Sequence, residues 1–150
     1  MYVDAQLTFS DAQAVTATAA STNYVDTGPL FSGNLGRNLG VGDRLYIVVS
    51  CDVAMTDSSS DSTIAVTLQT DDNTSFSSAT TLLTIGTFAA LSAVGTALVA
   101  PLPIGAYERY IRLYYTAANG DLTTGSYTAS IVKDISQWTS TAQGSPGTGY

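Results

Sequence analysis

Ser62-Thr63-Ile64-Ala65-Val66-Thr67-Leu68-Gln69 alternates with period two: Ile64, Val66 and Leu68 fall on one side, and Thr63, Thr67 and Gln69 on the other. Successive side chains of a strand point to opposite faces, so this stretch is a strand with one core face and one wetter face. The same period runs through Arg44-Leu45-Tyr46-Ile47-Val48-Val49-Ser50-Cys51, which puts Leu45, Ile47 and Val49 on one face. Cys51 is expected opposite that set, as a packed or weakly exposed thiol with no base beside it. In Tyr110-Ile111-Arg112-Leu113-Tyr114-Tyr115, the residues Ile111, Leu113 and Tyr115 face inward, and Tyr110, Arg112 and Tyr114 outward. Residues 125–135 read as the last long strand, through Tyr127, Ala129 and Ile131.

Weaker strands are expected over residues 3–9, 14–19, 24–27, 80–88 and 96–100. Turn signals separate them: Gly28-Pro29, Asp57-Ser58-Ser59-Ser60-Asp61, Asp71-Asp72-Asn73 and Asn119-Gly120-Asp121. No stretch combines a helical period with caps at both ends. The expectation is an all-β fold, a jelly-roll β-sandwich of about eight or nine antiparallel strands. One domain with its N-terminal arm spans residues 1–136, and a polar tail spans residues 137–150.

Composition agrees. Charged residues are only 11% of the chain, against the usual quarter, and Thr, Ser, Ala and Gly fill the gap. Thr suits the exposed face of a pleated sheet. A wide, weakly charged surface of this kind is expected to be covered by a partner. The net charge is −7, and the cations are Arg37, Arg44, Arg109, Arg112 and Lys133. Nucleic acid and anionic membranes are therefore not expected partners, because both need clustered Lys and Arg. A single cysteine excludes an intrachain disulfide framework, and the start of the chain lacks the basic and apolar regions of a signal peptide. Synthesis in a reducing cytoplasm follows as the expectation.

The chain has no histidine, which removes Ser-His-Asp and Cys-His mechanisms and His-ligated zinc. Paired carboxylates could still act on a glycosidic bond, but acids scattered over a sandwich read as solvated turn residues. Asp71-Asp72-Asn73 could offer oxygens to calcium. It lacks EF-hand spacing, and an Asx turn is the favoured reading. Gly33-Asn34-Leu35-Gly36-Arg37-Asn38-Leu39-Gly40 lacks the Gly-Lys-Ser/Thr of a phosphate loop, and its glycines fit sharp bends. The outward set Tyr110, Arg112 and Tyr114 admits two readings: a partner contact, since Tyr and Arg are enriched in buried interfaces, or a cross-strand ladder on a solvated sheet.

Four stretches, in order, resemble the jelly-roll capsid cement (decoration) proteins of tailed phages. They are Asp11-Ala-Gln-Ala-Val-Thr-Ala-Thr-Ala-Ala-Ser-Thr-Asn23, Gly40-Val-Gly-Asp-Arg-Leu-Tyr-Ile-Val-Val49, Leu68-Gln-Thr-Asp-Asp-Asn-Thr-Ser-Phe-Ser77 and Pro101-Leu-Pro-Ile-Gly-Ala-Tyr-Glu-Arg-Tyr-Ile-Arg-Leu-Tyr-Tyr115. The resemblance covers about residues 10–135. It implies a virion protein on the outer capsid surface, bound where major capsid proteins meet, with no catalysis and no cofactor. Symmetry axes of a shell would favour self-pairing, as a homodimer ahead of a trimer. The rival readings are a carbohydrate- or receptor-binding sandwich of the virion, which wants an exposed aromatic platform, and a glycan-degrading enzyme, which wants a paired Asp/Glu in a groove.

The residues expected to meet a partner come from the physical reading. Tyr2, Val3, Leu7 and Phe9 could add a strand to a neighbour's sheet edge. Trp138 and Tyr150 could anchor the other end of the chain. Arg37, Tyr110, Arg112 and Tyr114 complete the set.

Overall fold

The computed structural model describes residues 4–28, 39, 42–104 and 107–135. Among the described residues nine strands run in chain order: β1 (Thr8–Ala14), β2 (Ala19–Ala20), β3 (Val25–Asp26), β4 (Tyr46–Thr56), β5 (Thr63–Asp71), β6 (Thr80–Phe88), β7 (Ala97–Pro101), β8 (Tyr110–Ala118) and β9 (Thr124–Val132). One sheet has the order β1-β9-β4-β7; the other has β2-β8-β5-β6, with β3 also paired to β8. All pairings are antiparallel. Counting β2 and β3 as one interrupted strand leaves the two interleaved Greek keys of a jelly roll.

The period-two rows form the core between the sheets. Ile47, Val49 and Cys51 of β4 and Tyr127, Ala129 and Ile131 of β9 meet Ile64, Val66 and Leu68 of β5 and Ile111, Leu113 and Tyr115 of β8. Each Leu, Ile or Val withdrawn from water contributes roughly 1.5–3 kcal/mol. Cys51 thus lies on the core face with Ile47 and Val49, not opposite them. Alternation continues through it, and the register with β9 shifts only beyond it, between Cys51 and Val53 and again between Val53 and Thr56. Burial raises the pKa of its thiol, as does the charge of Asp52.

The N-terminal arm also departs from expectation. Residues 5–7 form a 3-10 turn rather than a strand, because the Asp4 side chain accepts a hydrogen bond from Gln6 N at 2.9 Å. The expected strand over residues 14–19 is replaced by a crossing from one sheet to the other, in which Val15 N donates to Gly125 O and Leu122 N donates to Thr16 O.

Connections 15–18, 57–62, 89–96 and 119–123 all join the two sheets at one end. The far end therefore carries the first residue of β1, the last of β9, the start of β8 and the end of β5. In the 119–123 turn, Asn119 and Gly120 both take positive φ, 65° and 114°, a conformation these residue types tolerate. The tail 137–150, most of the glycine-rich connection, and the expected contacts Tyr2, Val3, Arg37, Trp138 and Tyr150 lie outside the described residues.

Candidate interaction surface

The outward row of β8 is built by register. Gln69 of β5 stands opposite Arg112, Thr67 opposite Tyr114, and Asp71 opposite Tyr110. On the other side Asp26 pairs with Tyr110, and Ala20 with Tyr114. The outward residues of β5 and β6 around this row are largely threonines, so the face is polar and nearly uncharged.

Arg112 sits at its centre. Its Nε donates to Gln69 Oε1 at 3.0 Å. Its guanidinium lies 4.3 Å from the centroid of the Phe76 ring and 5.3 Å from that of Tyr114. Such cation–π contacts fix the plane of the guanidinium as well as stabilising it. Tyr24, 46% exposed, meets Tyr110 edge-on at 5.4 Å and Phe76 at 6.2 Å. Arg109 lies 5.0 Å over the Tyr110 ring. It is itself clamped to Asp26, with Nε to Oδ1 at 3.0 Å and Nη2 to Oδ2 at 2.9 Å. That bond holds the Asp26 carboxyl below its ordinary pKa and raises that of Arg109.

Phe76 reaches this surface from the loop between β5 and β6, where it takes a positive φ of 51°. Asp71, fully buried, anchors the loop. Its Oδ1 accepts from Asn73 N at 3.1 Å and Asn73 Nδ2 at 2.7 Å, and its Oδ2 accepts from Ser78 N at 2.8 Å. The Asn73 contact is the Asx turn expected from the sequence. Burial pushes the Asp71 carboxyl up, but the hydrogen bonds from Ser78 and Asn73 outweigh it and the pKa is lowered. No cluster of His, Cys, Asp or Glu fit to hold a metal occurs among the described residues.

The structure therefore brings Tyr110, Arg112 and Tyr114 together and adds Tyr24, Phe76, Gln69, Asp26 and Arg109, which sequence reasoning did not place there. Phe9 needs correction. It is 0% exposed and packs in the chain's own core, because β1 pairs with β9 of the same molecule. Leu7 is half-buried against that same core.

A second surface lies at the opposite end. The loop between β6 and β7 is tied along β4: Cys51 N donates to Thr96 O at 2.8 Å, Gly95 N to Cys51 O at 2.8 Å and Met55 N to Ser92 O at 3.0 Å. Val53, Leu91 and Val94 are 48%, 54% and 65% exposed on these adjoining segments. Leu91 holds a left-handed φ of 59°, a conformation that costs an L-residue roughly 1–2 kcal/mol. The nine residues of β5 separate the two ends by on the order of 25 Å.

The molecule is thus an all-β jelly roll with an arginine–aromatic surface at one end and exposed aliphatic side chains at the other. The chain belongs to the Bbp16 family, whose model matches residues 9–131. The match begins inside β1 and ends inside β9, so it takes in both sheets. No curated protein matches the chain.

Proposed function

We propose that this protein is a non-enzymatic cement protein of a phage capsid, binding the outside of the shell and bridging major capsid proteins. Membership of the Bbp16 family, a phage-related family, supports the setting. One observation carries the mechanism: an arginine–aromatic surface and a group of exposed aliphatic side chains lie toward opposite ends of one two-sheet sandwich. A bridging protein needs that arrangement. Once one end is seated, the other meets its partner at a high effective concentration, so two modest contacts act as one strong one. Pulling neighbouring shell subunits apart then requires breaking cement contacts as well.

The test is cosedimentation of the full-length chain with purified capsids, followed by heating of decorated and bare shells. Decorated shells should release DNA at a higher temperature. Equal resistance of the two would sink the cement reading. A sugar-binding virion module is the second reading, favoured by the exposed Tyr24 ring beside Tyr110. A glycan array separates the two.

A further inference from the structure

We infer that Arg112 is a preformed receptor for a carboxylate side chain of the shell subunit on which this protein docks. The inference rests on the cement reading and names the chemistry of one contact within it.

A cation held against two rings and one amide is well placed but electrically unanswered. Among the described residues the ion pairs are Arg109 with Asp26 and Lys133 with Asp43, and Arg112 is in neither. Its Nε is taken by the neutral Gln69 side chain, and neither terminal nitrogen hydrogen-bonds within the described residues. The acids nearest in register direct their oxygens to other partners. Asp26 is clamped by Arg109, and both oxygens of Asp71 accept bonds from their own loop. The half-buried Arg112 guanidinium therefore makes no direct ion pair among the described residues, on a chain whose net charge is −7.

The geometry suits one class of ligand. The Nη edge of a guanidinium presents parallel N–H donors that match the two oxygens of a carboxylate. Phe76, Tyr114 and Gln69 hold that edge in place, so little side-chain freedom is lost when the ligand arrives. The uncharged threonine face around it adds no repulsion against an acidic partner. A second copy of this chain is the poorer source of the carboxylate, because it would bring another net −7 to the contact.

The experiment uses full-length protein, purified shells, and shells whose surface carboxylates have been amidated with carbodiimide and glycinamide. R112K keeps length and charge but loses the planar fork; R112Q loses the charge as well. Both variants are checked by near-ultraviolet circular dichroism, and R112K is the informative one if R112Q fails to fold. On untreated shells each variant should bind about tenfold or more weaker than the unaltered chain. Amidation should weaken the unaltered chain by a similar factor and leave the variants unchanged. The inference is overturned if R112K binds like the unaltered chain, or if amidation weakens the variants as much. It is also overturned if R112Q alters only the chain's own oligomeric state in sedimentation velocity. Failure of the unaltered chain to bind untreated shells would instead remove the cement reading, and this inference with it.

Discussion

Tyr115 and Ser10 tie the two sheets together: the Tyr115 hydroxyl of β8 lies 2.9 Å from Ser10 Oγ of β1, deep between the layers. Ser10 Oγ also donates to Gln13 Oε1 at 2.8 Å, and Gln13 Nε2 donates onward to Ala20 O at 2.8 Å. With the Ser10 proton given to Gln13, the Tyr115 hydroxyl donates to Ser10 Oγ, and Gln13 Oε1 accepts from both Ser10 Oγ and Thr22 N. S10A therefore leaves the buried Tyr115 hydroxyl unsatisfied and should cost about 1–3 kcal/mol, whereas Y115F removes only one bond and should cost about 0.5–1.5 kcal/mol. Urea unfolding at unchanged m-value checks the order.

Stability should fall in strong alkali. Burial pushes the Tyr107 and Tyr115 hydroxyls from 10.0 up to about 12, and Tyr127 further in the same direction. An unfolded tyrosine loses its proton first, so this stabilisation is complete below pH 10.0 and is lost as the pH rises toward 12. At the acid end the sign reverses. Asp26, held down by its bond from Arg109, Asp57, held down by Ser62, and Asp71 lie below the ordinary 3.8, so their contributions are present above that value and fade beneath it. With no histidine in the chain, melting temperature should change little between about pH 6 and 8. A thermal melt series across pH measures all three regions.

D71A should free the loop that positions Phe76, because the carboxylate is the shared acceptor for Asn73 and Ser78. The expected outcome is a lower melting temperature, faster proteolysis within residues 72–79 and weaker shell binding. Limited proteolysis with mass spectrometry locates the opening.

Leu91 should trade stability against contact. L91N suits the left-handed φ of 59° and removes an exposed apolar side chain. It should raise stability by about 0.5–1 kcal/mol, a fraction of the left-handed penalty, while shell binding weakens. Denaturation midpoint and cosedimentation, run on the same sample, decide it.

The core rows were legible in the sequence because alternation survives wherever one face is buried. Residues 62–69 and 110–115 carried that signal without interruption, and the outward Tyr110, Arg112 and Tyr114 followed from parity alone. Cys51 has the same parity as Val49, and the structure puts it where parity demands. Other features lay beyond local pattern. The second strand is split into two-residue pieces, with Ser21 Oγ donating to Asn23 O between them, so no period could build up. Tyr24 and Phe76 join Arg112 through the register of β3 and a loop anchored on a buried acid, neither of which a sequence window reports. The strand that Phe9 could lend to a neighbour is used within the molecule, since pairing of Thr8 with Ser130 draws it inside, and no sequence window reports that long-range pairing.

That same pairing places the opening of the first strand and the close of the last. Thr8 opens β1 opposite Ser130, and β9 finishes at Val132 beside Tyr46, at the end of the sandwich that carries Arg112. A peptide inserted directly before Thr8 or directly after Val132 would leave the sandwich at the end that carries Arg112. The serine-rich turn at 57–62 and the Asn119-Gly120 turn open at the other end, and peptides grafted there would leave the Arg112 surface clear.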